Sequence, residues 1–115
     1  MKIIIFSESD YNFVAKLTKI CNLHEDELVF LEDLKKLNQI ESNALVLIDY
    51  CDYKKSLNNI FDNVIKREST TYCILVDKMK SEIHKNLTNL GFDITITKNL
   101  FLMNFKIIKT QCISS

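Results

Sequence analysis

The chain has 115 residues, with 15 Lys+Arg against 15 Asp+Glu, one glycine and no proline. That length supports one domain over residues 1–115, large enough for a real core, and the zero net charge argues against binding nucleic acid by phosphate neutralisation and against a basic membrane-surface module. A single glycine excludes the Gly-rich phosphate loops and argues against an all-β domain, which needs many tight turns with positive φ.

Ile3-Ile4-Ile5-Phe6 is a short, continuous apolar run of the kind that forms a strand buried on both faces. Ser9-Asp10 offers an N-cap, and Phe13, Leu17 and Ile20 then repeat at helical spacing to about Cys21. Leu28-Val29-Phe30 reads as a weaker strand, and Leu31, Leu34 and Leu37 as a short helix ending near Ile40. Ala44–Ile48 is a second apolar run, closed by Asp49. Leu57, Ile60, Phe61, Val64 and Ile65 follow the i, i+3, i+4, i+7, i+8 pattern and give the strongest helix signal in the chain. Tyr72–Val76 is the third apolar run, closed by Asp77. Ile83, Leu87 and Leu90 mark a fourth helix, with Gly91 as its C-cap. Residues 93–97 alternate polar and apolar, and residues 99 to about 113 read as a last helix.

Five strands alternating with five helices predict an α/β fold, a doubly wound (βα)5 sandwich with a parallel sheet. Three strands are apolar throughout and belong in the centre. The last alternates as an edge strand should, and the short second strand suits the other edge, so the expected order is 2-1-3-4-5.

In such sheets the ligand site lies beyond the carboxyl ends of the strands. There the chain places Ser7, Glu8, Ser9 and Asp10, then Asp49, then Asp77, then Lys98. Two like charges about 4 Å apart repel by roughly 4 kcal/mol at an effective dielectric near 20. Acids gathered on that edge therefore require a divalent cation, the Lys98 ammonium or a retained proton. A flavin-type cofactor is not expected, because Glu8 and Asp10 would repel a phosphate beside Ser7 and Ser9.

These residues resemble the receiver domain of bacterial two-component response regulators, the CheY-like form of the flavodoxin-like fold. The likeness covers essentially the whole chain. Its best segment is Gly91-Phe92-Asp93-Ile94-Thr95-Ile96-Thr97-Lys98-Asn99-Leu100, against the family pattern G-A-D-D-Y-L-x-K-P-F. Lys2–Glu8 resembles K-I-L-I-V-D-D, and Ala44–Asp49 resembles the strand ending in the phosphoacceptor. The resemblance implies Asp49 as phosphoacceptor, Lys98 as phosphate-binding lysine, and Glu8, Asp49 and the Cys51 carbonyl as ligands of Mg2+. It also exposes departures. The first acid is Ser7, the switch hydroxyl is Asp77, the switch aromatic is Thr95, and the proline expected after Lys98 is Asn99. Asp77 is expected either to pair with Lys98 or to help bind a cation.

The expected function is therefore an atypical response-regulator receiver in phosphorelay signal transduction, acting mainly as a pseudo-receiver, a protein-interaction module with no enzymatic turnover. The alternative is a working receiver, phosphorylated on Asp49 by a histidine kinase with Mg2+. The last helix carries Leu100, Phe101, Leu102, Met103, Phe105, Ile107 and Ile108, more apolar residues than one face can bury. That surplus predicts a homodimer through the fourth helix, fifth strand and last helix, where receivers commonly meet partners. Direct nucleic-acid or membrane binding is not expected. Cys21, Cys51, Cys73 and Cys112 form no CxxC pair and lie far from a matching histidine set, so they read as small core hydrophobes. The apolar run Ile3–Phe6 is too short for a signal peptide, so the expected setting is the reducing cytoplasm. His24 and His84 read as surface residues.

Overall fold

A computed structural model describes residues 1–40, 43–58, 60–62, 64 and 66–114. Strands β1 (Lys2–Phe6), β2 (Glu27–Leu31), β3 (Ala44–Asp49), β4 (Thr71–Val76) and β5 (Ile94–Thr97) form one sheet in the order β2-β1-β3-β4-β5, with every pair parallel. The three continuous apolar runs are the central strands, as their patterns require. All of Ile3–Phe6, Ala44–Ile48 and Tyr72–Val76 is buried, whereas the edge strand β5 is half-buried throughout.

Side chains alternate between the two faces. Ile4, Phe6, Val46, Ile48, Ile74 and Val76 pack with Leu37, Tyr53, Leu57, Ile60 and Leu87 on one side. Ile3, Ile5, Leu45, Leu47, Cys73 and Leu75 pack on the other against α1 (Tyr11–Leu23), α4 (Lys98–Met103) and α5 (Phe105–Ser114). Each fully buried Leu or Ile contributes about 2 kcal/mol against its exposed state. Cys21, Cys73 and Cys112 are among these core residues, and Cys51 is exposed.

Several elements differ from their sequence patterns. The short helix after β2 is a 3-10 helix, Leu34–Gln39. After β3, α2 (Tyr50–Tyr53) lasts one turn and continues as a 3-10 turn, Lys54–Ser56. The described residues from 57 to 64 lie in turns rather than in the expected helix, and Ile65 falls outside the described residues. Leu57 and Ile60 are nonetheless buried. The stripe therefore reported burial correctly and periodicity wrongly. The last helix is broken at Asn104, whose backbone N–H and side-chain amide both donate to the Leu100 carbonyl, at 3.0 and 2.9 Å. α3 (Ser81–Leu90) ends at Gly91, with φ of +116° in the left-handed region that glycine tolerates.

The register staggers the carboxyl ends in two levels. Phe6 pairs with Ile48, Ile48 with Ile74, and Val76 with Thr97. Ser7 and Asp49 lie one step beyond the first of these rungs, level with Leu75, and Asp77 and Lys98 lie two residues further along, one step beyond the rung of Val76 and Thr97.

Candidate functional site

Lys98 opens α4, directly after β5, and its residue is 8% exposed. Its ammonium donates to Asp10 Oδ2 at 2.8 Å. It also lies 2.8 Å from Asp49 Oδ2 and 3.1 Å from Asp77 Oδ1. One cation thus faces three carboxylates from the ends of three strands. The Asp49 contact is ionic rather than a well-aligned hydrogen bond, because no hydrogen bond of good geometry ends on that buried oxygen among the described residues.

Each acid is also fixed by its own element. Asp10 caps α1, its Oδ1 accepting from the Phe13 N–H at 3.0 Å. Asp49 caps α2, its Oδ1 accepting from the Cys51 N–H at 3.0 Å. Asp77 Oδ2 accepts from the Cys51 thiol at 2.9 Å. The loop after β1 is held by Asp52, one carboxylate oxygen of which accepts from the Glu8 N–H at 2.8 Å and the Ser9 N–H at 3.2 Å. Its other oxygen accepts from the Ser9 hydroxyl.

The charges follow from these contacts. Burial works against the Lys98 ammonium, but the carboxylates of Asp10, Asp49 and Asp77 outweigh it and hold its pKa above the ordinary lysine range. The Lys98 hydrogen bond holds Asp10 below the usual Asp value. Asp77 is lowered by the Cys51 thiol and by Lys98. Burial raises Asp49, and Lys98 offsets only part of that rise. Asp77 pushes the Cys51 thiol up to about 11, with burial adding to it. The negative charge of the cluster is therefore answered by the ammonium, while burial gives Asp49 a stronger hold on its proton.

Of the residues singled out by the sequence, Asp49, Asp77 and Lys98 meet. Asp77 pairs with Lys98, the first of the two arrangements expected for it. Glu8 is exposed and turns to a different cleft, lined by Asp52 and Tyr53 rather than by Lys98. The Thr95 hydroxyl is buried with no hydrogen-bond partner among the described residues. Among the described residues, no group of three or more His, Cys, Asp or Glu side chains is arranged to hold a metal ion. Of the groups that the resemblance implies for Mg2+, Asp49 meets Lys98, while Glu8 lines the cleft with Asp52 and Tyr53. The sequence pattern marks Asp10 as a cap on this edge and assigns nothing to Asp52; the structure adds Asp10 as a Lys98 partner and Asp52 as the loop clamp. A signal for Asp52 was present, since it follows Asp49 by three positions, close to one helical turn.

A small cavity of about 180 Å3 opens onto Lys98, Asp10 and Asp77 between α1 and α4. The molecule is a doubly wound α/β sandwich of the flavodoxin-like fold, with its polar cluster on the carboxyl edge of the sheet. Comparison with models of known families, with curated proteins and with solved structures gives no match. Among the described residues, no helix is long and apolar enough to cross a membrane.

Proposed function

We propose that the chain is a pseudo-receiver: a receiver-like protein-interaction module in two-component signalling whose phosphoacceptor site is closed from within. The observation that carries this reading is the Lys98 ammonium engaged by three carboxylates. A phosphoryl group on Asp49 would need that ammonium, and it would meet the Asp77 carboxylate where a hydroxyl would otherwise greet it. Asp49 itself is 1% exposed, which hinders approach of a phosphodonor.

Incubation with acetyl phosphate in Mg2+ buffer, followed by intact mass, tests this. The expected result is an unmodified chain. A phosphoryl adduct that disappears in Asp49→Asn overturns the reading. It would instead favour a working receiver served by a histidine kinase, a reading supported by the side-by-side placement of Asp49 and Lys98.

The interaction role is supported by apolar side chains left on the surface of α4 and α5. Leu100, Met103 and Ile107 are 48%, 79% and 59% exposed at i, i+3 and i+7, while Phe101, Phe105 and Ile108 face the core. This seam suits a second copy of the chain or a signalling partner. A cytoplasmic setting and the absence of nucleic-acid contact belong to the same proposal. Light scattering at high protein concentration checks the homodimer, and a strictly monomeric mass counts against it.

A further inference from the structure

A second cleft, of about 740 Å3, lies away from Lys98. Its walls come from the loops after β1, β2 and β3, beside the switch between β1 and β3 where doubly wound folds take ligands. Glu8, Glu32, Asp33 and Asp52 supply four carboxylates, against the single ammonium of Lys35 among the described lining residues. Two of the four are committed. Asp52 clamps the β1 loop, and Asp33 accepts from the Lys35 N–H at 2.9 Å. Glu8 and Glu32 are exposed, and neither has an ion pair among the described residues. Between the acids, Leu34, Ile60 and Val64 line an apolar stretch.

We propose that this cleft docks a basic, amphipathic segment of a partner protein. One apolar side chain of the segment rests on Leu34, Ile60 and Val64, and flanking lysine or arginine side chains meet Glu8 and Glu32. The proposal rests on the interaction-module reading and names the chemistry of the partner. The excess negative charge selects a cation over an anion. The apolar stretch selects a protein segment over a bare ion, which would leave it unused. Spread over the loops after β1 and β2, the uncommitted carboxylates match a chain that spans them rather than a point charge. The contact is exposed, so it weakens as salt rises.

A methyl NMR titration of the full chain with a short synthetic peptide of alternating lysine and leucine tests the idea. Saturable shifts are expected at the Leu34, Ile60 and Val64 methyls, with binding weakened about tenfold in the double variant Glu8→Gln/Glu32→Gln. Should that variant lose its native spectrum, Glu32→Gln alone is expected to weaken binding about threefold. The proposal is overturned if the lysine peptide leaves these methyls unmoved, or if the neutralised variants bind it undiminished. It is equally overturned if a glutamate-leucine peptide, or Mg2+ alone, produces the same shifts. A phosphoryl adduct on Asp49 would remove the pseudo-receiver reading without touching these methyls, so the two failures are told apart.

Discussion

Asp77 holds two groups at once, Lys98 through Oδ1 and the Cys51 thiol through Oδ2. A carboxylate beside a thiol disfavours the thiolate, and that is the first reason the Cys51 pKa stands at about 11 instead of 9.0. Asp77→Ala is therefore expected to bring Cys51 part of the way back. Burial, the second cause, remains in the variant. The rate of alkylation by iodoacetamide below pH 9 should rise about threefold for each unit recovered, because the less basic thiolate is also less nucleophilic. Cys51 is the exposed cysteine, so the modified site is unambiguous in a peptide digest. An unchanged rate would show that Asp77 does not hold the thiol. At this scale the site was half legible in the sequence. Asp49, Asp77 and Lys98 each end or follow an apolar run, and a parallel sheet forces such residues to one edge. Asp10 was read as a cap but not as a partner of Lys98. Glu8, its neighbour, was expected near Asp49 and points elsewhere. Which acid of a loop turns inward depends on the clamp that Asp52 places on that loop, a contact across more than forty positions.

Among the elements, the central strands were the most legible, because a strand buried on both faces leaves a continuous apolar run with little else it can form. The stripe from Leu57 to Ile65 was the least. Spacing of i, i+3, i+4 is produced by a helix, but a chain of turns that buries Leu57 and Ile60 satisfies it too. Asn58 in the same stretch favours a turn through side-chain competition for the backbone. Phe61, from this stretch, fits edge-on against Tyr72 and Phe92, with ring centroids 5.3 and 5.1 Å away. It also closes over Gly91, where an added Cβ would stand 3.0 Å from the Phe61 ring on a backbone with φ of +116°. The one glycine of the chain is thus required twice, for its conformation and for its missing side chain. Gly91→Ala is expected to lower stability by about 1–2 kcal/mol. Urea unfolding measures this, and an unchanged midpoint would mean that neither the backbone nor Phe61 resists the methyl group.

The whole molecule is tied at both ends of its sheet by buried charge. At the carboxyl end is the Lys98 cluster. At the amino end the Asp26 side chain, 3% exposed, meets the Met1 ammonium at 3.1 Å and Lys109 at 2.9 Å. This ties α5, through Lys109 near its middle, to the edge where β1 and β2 begin to pair. Burial alone would raise the Asp26 pKa, but Lys109 and the terminal ammonium bring it below the ordinary 3.8. A carboxyl lowered in the folded state stabilises that state above its unfolded pKa, and the contribution fades as pH falls from 3.8 through the folded value. Asp26→Asn removes the charge and leaves two cations facing an amide, at an expected cost of about 3 kcal/mol at neutral pH. Below the ordinary Asp value the wild-type carboxyl is itself being neutralised, so the gap between the two chains should narrow there. Urea unfolding of both at neutral and acid pH reads the gap directly. A gap of the same size at both would assign the loss to packing around residue 26 rather than to the ion pairs.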